Sequence, residues 1–321
     1  MARDKGPVRI WTEYAALRTF MGAARLAPPR AAFWLSDRLG DFAYLLDREH
    51  RETATRNLAQ VFGGAPDDPG HRATARKVFR NFARVGMEFS MLPKLIERRG
   101  LDGLVEVTGR EHVEAALAGG KGVLIWSAHL GNWEVVAALG EPLGMVLHTV
   151  GREMDNPRID RLLTEHRSRY ARSVIPKEGG LPRIVRALRR GNCVAMLLDQ
   201  HAGRSGIDVD FLGRPASTFR AAAELSVRFG LPMLGGYGIR VDDAPRFRLE
   251  FQPPIWPDEN APREDEVRRL TQLVSDSIGD VVRRYPEQWN WLHRRWRSKK
   301  KRRAAAADAP TASAPRMEGS S

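Results

Sequence analysis

The sequence predicts an α/β fold: a mostly parallel central sheet flanked by helices, with a helical N-terminal region. Three observations carry this. Apolar residues in the first hundred positions recur at helical spacing. Beyond Gly100, short β-branched and apolar runs alternate with helical stretches, the pattern of a parallel sheet with crossover helices. Within that second part, the apolar run Gly122 to Ser127 leads through a Gly-Asn turn into a helical pattern, a strand-turn-helix unit.

From Val8 to Leu26, the residues Ile10, Trp11, Tyr14, Leu17, Phe20, Met21 and Ala24 follow a period close to 3.6, and Arg18 and Arg25 lie off that stripe. Pro28 and Pro29 end this helix. A second helix carries Phe33, Trp34, Leu35, Leu39, Phe42, Leu45 and Leu46 toward a polar stop, and two more helical patterns run to about Glu97. Expected strands follow at Val105 to Thr108, Gly122 to Ser127, Met145 to Val150, Ser173 to Pro176 and Cys193 to Leu198. Later runs at Ile207 to Leu212, Met233 to Val241 and Phe247 to Phe251 lack a full helix between some neighbours, so antiparallel or edge strands are expected there. A last helix spans about Glu264 to Arg284. The organisation expected is a helical, amphipathic and membrane-associated region over 1–100, an α/β core over 101–297, and a basic, disordered tail over 298–321.

At 321 residues and 42% hydrophobic, the chain is long and apolar enough for a large core, which excludes wholesale disorder and a collagen-like fibre. Lys and Arg number 52 against 39 Asp and Glu, so the net charge of +13 attracts an anionic partner such as a membrane surface, an acidic substrate or nucleic acid. No nucleic-acid motif accompanies the charge, so nucleic acid is not expected. The single cysteine, Cys193, lies in an apolar run, which permits no internal disulfide and points to a reducing compartment. The most apolar N-terminal stretch, Tyr14 to Leu46, is broken by Arg18, Arg25, Arg30, Asp37 and Arg38, so neither a membrane-spanning helix nor a signal peptide is expected.

The chemistry concentrates at His129-Leu-Gly-Asn132-Trp-Glu134, directly after the apolar strand. Ligands of open α/β sheets bind at the carboxyl ends of strands, which is where His129 falls. A following helix N-terminus disfavours the imidazolium and keeps the ring able to accept a proton. Glu134, across the turn, is expected to take the hydrogen bond of the other ring nitrogen. A second His-x-x-x-x-Glu spacing, His148 to Glu153, lies along an extended run that sends the two side chains to opposite faces, and it is set aside. Arg152 and Asp199 also stand just beyond strand ends. The planar fork of an arginine suits phosphate or an oxyanion, and a lone carboxylate at a strand end is either a substrate ligand or a helix cap. Gly119-Gly-Lys-Gly122 precedes its strand instead of linking strand to helix, so it is not read as a phosphate loop.

These residues are recognisable. His129 to Glu134 resembles the acceptor-activating motif of the glycerolipid acyltransferase superfamily, in the form seen in the late acyltransferases of lipid A biosynthesis, the lauroyl and myristoyl transferases. Gly151-Arg152 to Pro157, Leu198-Asp199-Gln200, Asp210-Phe211 to Thr218 and Pro286-Glu-Gln-Trp-Asn-Trp-Leu-His-Arg-Arg295 extend the resemblance over about residues 15 to 297. The resemblance implies an O-acyltransferase that needs no metal and no cofactor. His129 and Glu134 become the catalytic pair, and Arg152, Asn132 and Asp199 become substrate-binding residues. It further implies an acyl thioester donor, acyl carrier protein in the first reading, and a hydroxyl of a lipid A precursor as acceptor, at the cytoplasmic face of the inner membrane. The alternatives are another glycolipid or phosphatidylinositol mannoside acylated from acyl-CoA, or a non-catalytic membrane or nucleic-acid binding protein on the same fold. Members of this family begin with a more continuous hydrophobic anchor than this chain, so attachment is expected to be peripheral and interfacial.

Near the C-terminus, Trp289, Trp291 and Trp296 adjoin a run with eight basic residues in ten, Arg294 to Arg303. Interfacial aromatics beside polybasic charge read as a contact with anionic lipid.

Overall fold

The computed structural model describes residues 6–296 apart from Leu139 and Ala244, so the tail expected over 298–321 lies outside the described residues. Four helices come first: α1 (Pro7–Leu26), α2 (Pro29–Leu46), α3 (Arg48–Phe62) and α4 (Pro69–Arg99). Proline starts three of them, where its missing N–H costs nothing. α2 lies along α4 through Gly40, where an added Cβ would stand 2.5 Å from the Arg80 Cα. Beside that contact Asp41 accepts paired hydrogen bonds of 2.6 to 2.8 Å from both Arg76 and Arg80.

The remaining chain builds β1 (Val105–Thr108), α5 (Arg110–Leu117), β2 (Val123–Ser127), α6 (Trp133–Ala138), β3 (Leu147–Gly151), α7 (Pro157–Arg167), β4 (Ser173–Pro176), α8 (Leu181–Arg189), β5 (Cys193–Leu197), β6 (Ile207–Phe211), β7 (Arg214–Thr218), α9 (Ala221–Phe229), β8 (Met233–Arg240), β9 (Phe247–Phe251) and α10 (Arg263–Arg284). Seven strands form one sheet in the order β1-β9-β8-β2-β5-β3-β4, parallel except between β8 and β9. β6 and β7 form a separate antiparallel hairpin. This is the α/β architecture that the sequence predicts, with antiparallel pairing in the late runs. β7 is the strand the sequence concealed: Pro215 and a lack of alternation mask it, and a proline is tolerated because the hairpin has only one partner per strand.

The sheet separates two apolar layers. On β2, Leu124 and Trp126 face one layer with α8, α9 and α10, while Val123 and Ile125 face the other with α4, α5 and α6. The connection from β2 toward β3 passes through α6 on one face, and that from β5 toward β8 passes through α9 on the other. β2 and β5 are neighbours whose connections leave in opposite directions. Their carboxyl ends therefore border the crevice where open α/β sheets bind ligands.

Two further features bear on the site and its surroundings. After α10 the chain crosses the carboxyl edge of the sheet as a strap, Gln288 to Arg295, bridged to Leu130 at Trp289. On α2 an apolar stripe, Trp34, Leu35, Leu39, Phe42, Leu45 and Leu46, is 43 to 68% exposed. No helix of the described residues is long and apolar enough to cross a membrane.

Candidate active site

Ser127 on β2 and Leu197 on β5 are register partners, so the residues two positions beyond each, His129 and Asp199, emerge side by side. His129 Nδ1 lies 2.9 Å from Asp199 Oδ1, and the His129 main-chain N–H donates to Asp199 Oδ2 at 2.9 Å. A carboxylate at Nδ1 places the proton there and leaves the Nε2 lone pair outward. The His129 side chain is 21% exposed, whereas that of Asp199 is 1% exposed. The turn that makes this approach possible depends on Gly131, whose φ is +59° and whose added Cβ would stand 2.0 Å from the Gly238 carbonyl oxygen.

The electrostatics follow from the burial. Burial alone disfavours a charged imidazole, but the charge and hydrogen bond of Asp199, with a contribution from Glu134, outweigh it and raise the His129 pKa above the ordinary value; Lys177 pulls the other way. The sign is opposite to the sequence expectation, because a buried carboxylate at Nδ1 acts more strongly than the end of a six-residue helix. Burial pushes the Asp199 pKa up, but His129 and the Trp289 indole N–H together lower it to about 2.

The hydrogen bond expected from Glu134 is therefore made by Asp199. Glu134 faces away to Arg167 on α7, with contacts of 2.6 and 3.0 Å, because its place in the first turn of α6 points it along the helix toward that guanidinium. Asn132 is fully buried: its Oδ1 accepts from Glu134 N at 3.0 Å, capping α6, and its Nδ2 donates to Glu88 at 2.8 Å. Both ends of the amide are engaged, so Asn132 frames the turn between β2 and α6. Glu88 in turn pairs with the buried Arg240 at 2.5 Å. Arg152, one residue past β3, has its side chain 76% exposed and pairs with Asp155 at 3.1 Å; no hydrogen bond links it to His129. His148, in the rejected spacing, has both ring nitrogens engaged, with Ser173 Oγ at 2.8 Å and Asn192 Nδ2 at 3.1 Å.

Three further residues enter the site that sequence reasoning did not place there. Lys177 follows β4, stands in register beside Arg152, and holds its Nζ 4.2 Å from the Phe219 ring centroid. Trp289 donates its Nε1 hydrogen to Asp199 Oδ2 at 2.9 Å. Arg295 is 1% exposed and binds Gln200 O, Ser217 O and Thr218 Oγ1. The tryptophans read as interfacial aromatics are core residues instead. Trp289 and Trp291 are 1% and 0% exposed, and Trp296 packs with them and Phe211, because the strap lies under the β6–β7 hairpin and the N-terminal helices.

An α/β sheet with a histidine–carboxylate pair at its switch point, framed by a helical N-terminal region, is the class defined here. Within that class, residues 7–298 match the family described as bacterial lipid A biosynthesis acyltransferase, and the chain belongs to that family. It is similar to the lipid A biosynthesis lauroyltransferase of Escherichia coli K12, 26% identical with 91% of this chain and 93% of the relative covered. The palmitoleoyltransferase of the same organism is also 26% identical, over 91% and 92%. The phosphatidylinositol mannoside acyltransferase of Mycobacterium tuberculosis H37Rv is 25% identical, over 76% and 77%. The enzyme is an acyltransferase.

Proposed function

We propose that the enzyme moves a fatty acyl chain from the thioester of acyl carrier protein to a hydroxyl of a lipid A precursor, with His129 as general base and Asp199 as the carboxylate that orients it. The observation that carries the reading is the His129–Asp199 pair at the switch point, with Nδ1 held by a buried carboxylate and the histidine side chain left partly exposed. The acceptor hydroxyl loses its proton to Nε2 as its oxygen bonds to the thioester carbonyl carbon. Collapse of the tetrahedral intermediate breaks the C–S bond, and the imidazolium returns the proton to the leaving thiolate. Asp199 stabilises the imidazolium between these steps. Glu134, held by Arg167, contributes charge from a distance and fixes α6 to α7. Arg152 and Lys177, side by side at the carboxyl ends of β3 and β4, are the cations available to anionic groups of donor and acceptor.

The likeness to phosphatidylinositol mannoside acyltransferases supports a second reading, acylation of a mannoside glycolipid from acyl-CoA. Labelled acyl carrier protein and acyl-CoA, each incubated with lipid A precursor and with phosphatidylinositol mannoside, separate the two. Transfer from acyl carrier protein to the lipid A precursor is expected, and transfer only to the mannoside selects the second reading.

The exposed stripe of α2 supports interfacial attachment at the cytoplasmic face of the inner membrane. In this organisation residues 1–100 are the membrane-associated region, 101–297 the catalytic core, and 298–321 a basic tail that adds attraction to anionic lipid.

A further inference from the structure

A buried carboxylate beside a histidine has a drawback for a general base. The stronger its pull on the imidazolium, the larger the fraction of enzyme that already carries the proton it should take from substrate. Asp199 is buried, and two of its hydrogen bonds come from His129 itself, so its pull is strong. Two groups on the C-terminal strap oppose it.

One is Trp289. Among the described residues its indole N–H is the one donor to Asp199 from outside the histidine, and it draws carboxylate charge onto Oδ2, away from the Oδ1 that faces the imidazole. Its direction is fixed: the strap is bonded to the histidine loop on both sides, Gly131 N to Gln288 O and Asn290 N to His129 O, each at 3.0 Å.

The other is Arg295. Arg295 is 1% exposed, yet among the described residues every hydrogen bond it donates goes to a neutral oxygen, those of Gln200, Ser217 and Thr218, and its guanidinium rests 4.9 Å from the Phe211 ring centroid. A buried cation without a carboxylate in contact is costly. Gln200 is the neighbour of Asp199, and the Asp199 charge is what favours the charged guanidinium against its burial. Burial still prevails and lowers the Arg295 pKa to about 10, so Asp199 offsets the cost only in part and acts on the guanidinium without touching it.

Two further titratable groups stand on the same segments, His201 and His293, and the His201 main-chain N–H donates to His293 Nε2 at 3.0 Å. Glu134 is paired with Arg167, Lys177 stands over Phe219, and the buried Tyr237 phenol on β8 is held neutral by burial.

We propose that Trp289 and Arg295 are positioning residues that restrain the charge of Asp199 and so limit how strongly it holds the proton on His129, which keeps more of the enzyme in the form that can act as a base. The proposal deepens the general-base reading of His129 and rests on it for its catalytic meaning, but not for its test.

The test is the titration of His129 in the full chain, followed by NMR of 15N-histidine-labelled protein and assigned with His129→Asn. It needs no substrate. In Trp289→Phe and in Arg295→Gln, His129 is expected to titrate higher by about half to one pH unit, the scale of losing a hydrogen bond or charge beside an ionised group. Two controls separate this from loss of packing. Trp291→Phe alters the same aromatic cluster, but its indole N–H goes to Pro286 O, and Arg295→Lys keeps the cation; both should leave the titration near wild type. An unmoved or lowered His129 titration in Trp289→Phe, or an equal rise in Trp291→Phe, overturns the proposal. Should Arg295→Gln fail to fold, Trp289→Phe with its control decides. A raised titration in a protein that transfers no acyl group would leave this inference standing and the functional reading lost.

Discussion

The Glu134 carboxylate meets the Arg167 guanidinium through three contacts, of 2.6, 3.0 and 3.2 Å, and makes no hydrogen bond with His129. This divides the work of two carboxylates near one histidine. Asp199 touches the ring, and Glu134 ties α6, which carries the turn after His129, to α7.

The first prediction uses that division. His129→Ala should abolish nearly all acyl transfer, and Asp199→Asn should lower the rate by about 10² to 10⁴, because the amide neither fixes the tautomer nor stabilises the imidazolium. Glu134→Gln keeps a partner for Arg167 and should cost less than Asp199→Asn. Its accompanying loss should appear in thermal stability, since the buried side of the ion pair is weakened. Rates measured for the purified variants decide it, and a larger loss for Glu134→Gln than for Asp199→Asn returns the orienting role to Glu134.

The pH dependence follows with its sign. A base must be unprotonated to act, and His129 stands above the ordinary histidine value. The acid limb of the rate should therefore lie above the usual histidine range and move down toward it in Asp199→Asn, which removes the pull. For stability, the raised His129 pKa contributes fully below its unfolded value and fades as pH rises through the folded one. The lowered Asp199 pKa contributes above its unfolded value, near 4, and is lost as pH falls toward about 2. A pH–rate profile of wild type against Asp199→Asn tests the first part, and chemical denaturation between about pH 2 and 5 tests the second.

The rim cations separate by constraint. Arg152 is largely exposed and pairs with Asp155, so no fixed bidentate geometry is built around it, and Arg152→Lys should change KM little. Lys177 makes no ion pair among the described residues and holds its charge over Phe219, close enough to oppose His129 protonation. Lys177→Ala should raise KM for anionic substrates several-fold while raising the His129 titration. Steady-state kinetics of the two variants, with donor and acceptor varied in turn, show which substrate each cation meets.

Legibility in the sequence follows the range of the interactions. The four N-terminal helices and eight of the nine strands follow from apolar periodicity, prolines and β-branched runs, all local signals. The placement of His129 follows as well, because a strand leading into a Gly-Asn turn is also local. Its partner does not follow. His129 and Glu134 are five residues apart, whereas Asp199 is seventy away and arrives only because β5 lies beside β2, an order no spacing states. The same holds for Trp289, ninety residues from the carboxylate it binds. Its aromatic and basic neighbourhood looks interfacial in sequence, but the strap folds it into the core.

The last prediction concerns the outward face of α2. Trp34, Leu35, Leu39, Phe42, Leu45 and Leu46 follow one another at intervals of one, four, three, three and one, so they share a face, and that face is exposed while the opposite one packs on α4. A patch of this kind on a chain of net charge +13 fits a lipid surface of opposite charge. Burial of one large apolar side chain contributes about 1.5 to 3 kcal/mol, so Phe42→Asp and Leu45→Asp should each lower partition into anionic vesicles by about tenfold or more. Both side chains are exposed, so the fold and acyl transfer to detergent-dispersed acceptor should survive. Deleting residues 298–321 should also weaken binding, in a manner that high salt mimics, since the Debye length falls from about 10 Å at 0.1 M to about 3 Å at 1 M. The apolar contribution should persist in high salt and vanish with the α2 substitutions. Vesicle sedimentation across the two salt concentrations reads both contributions, and binding that is unchanged in the α2 variants removes this face from the membrane contact.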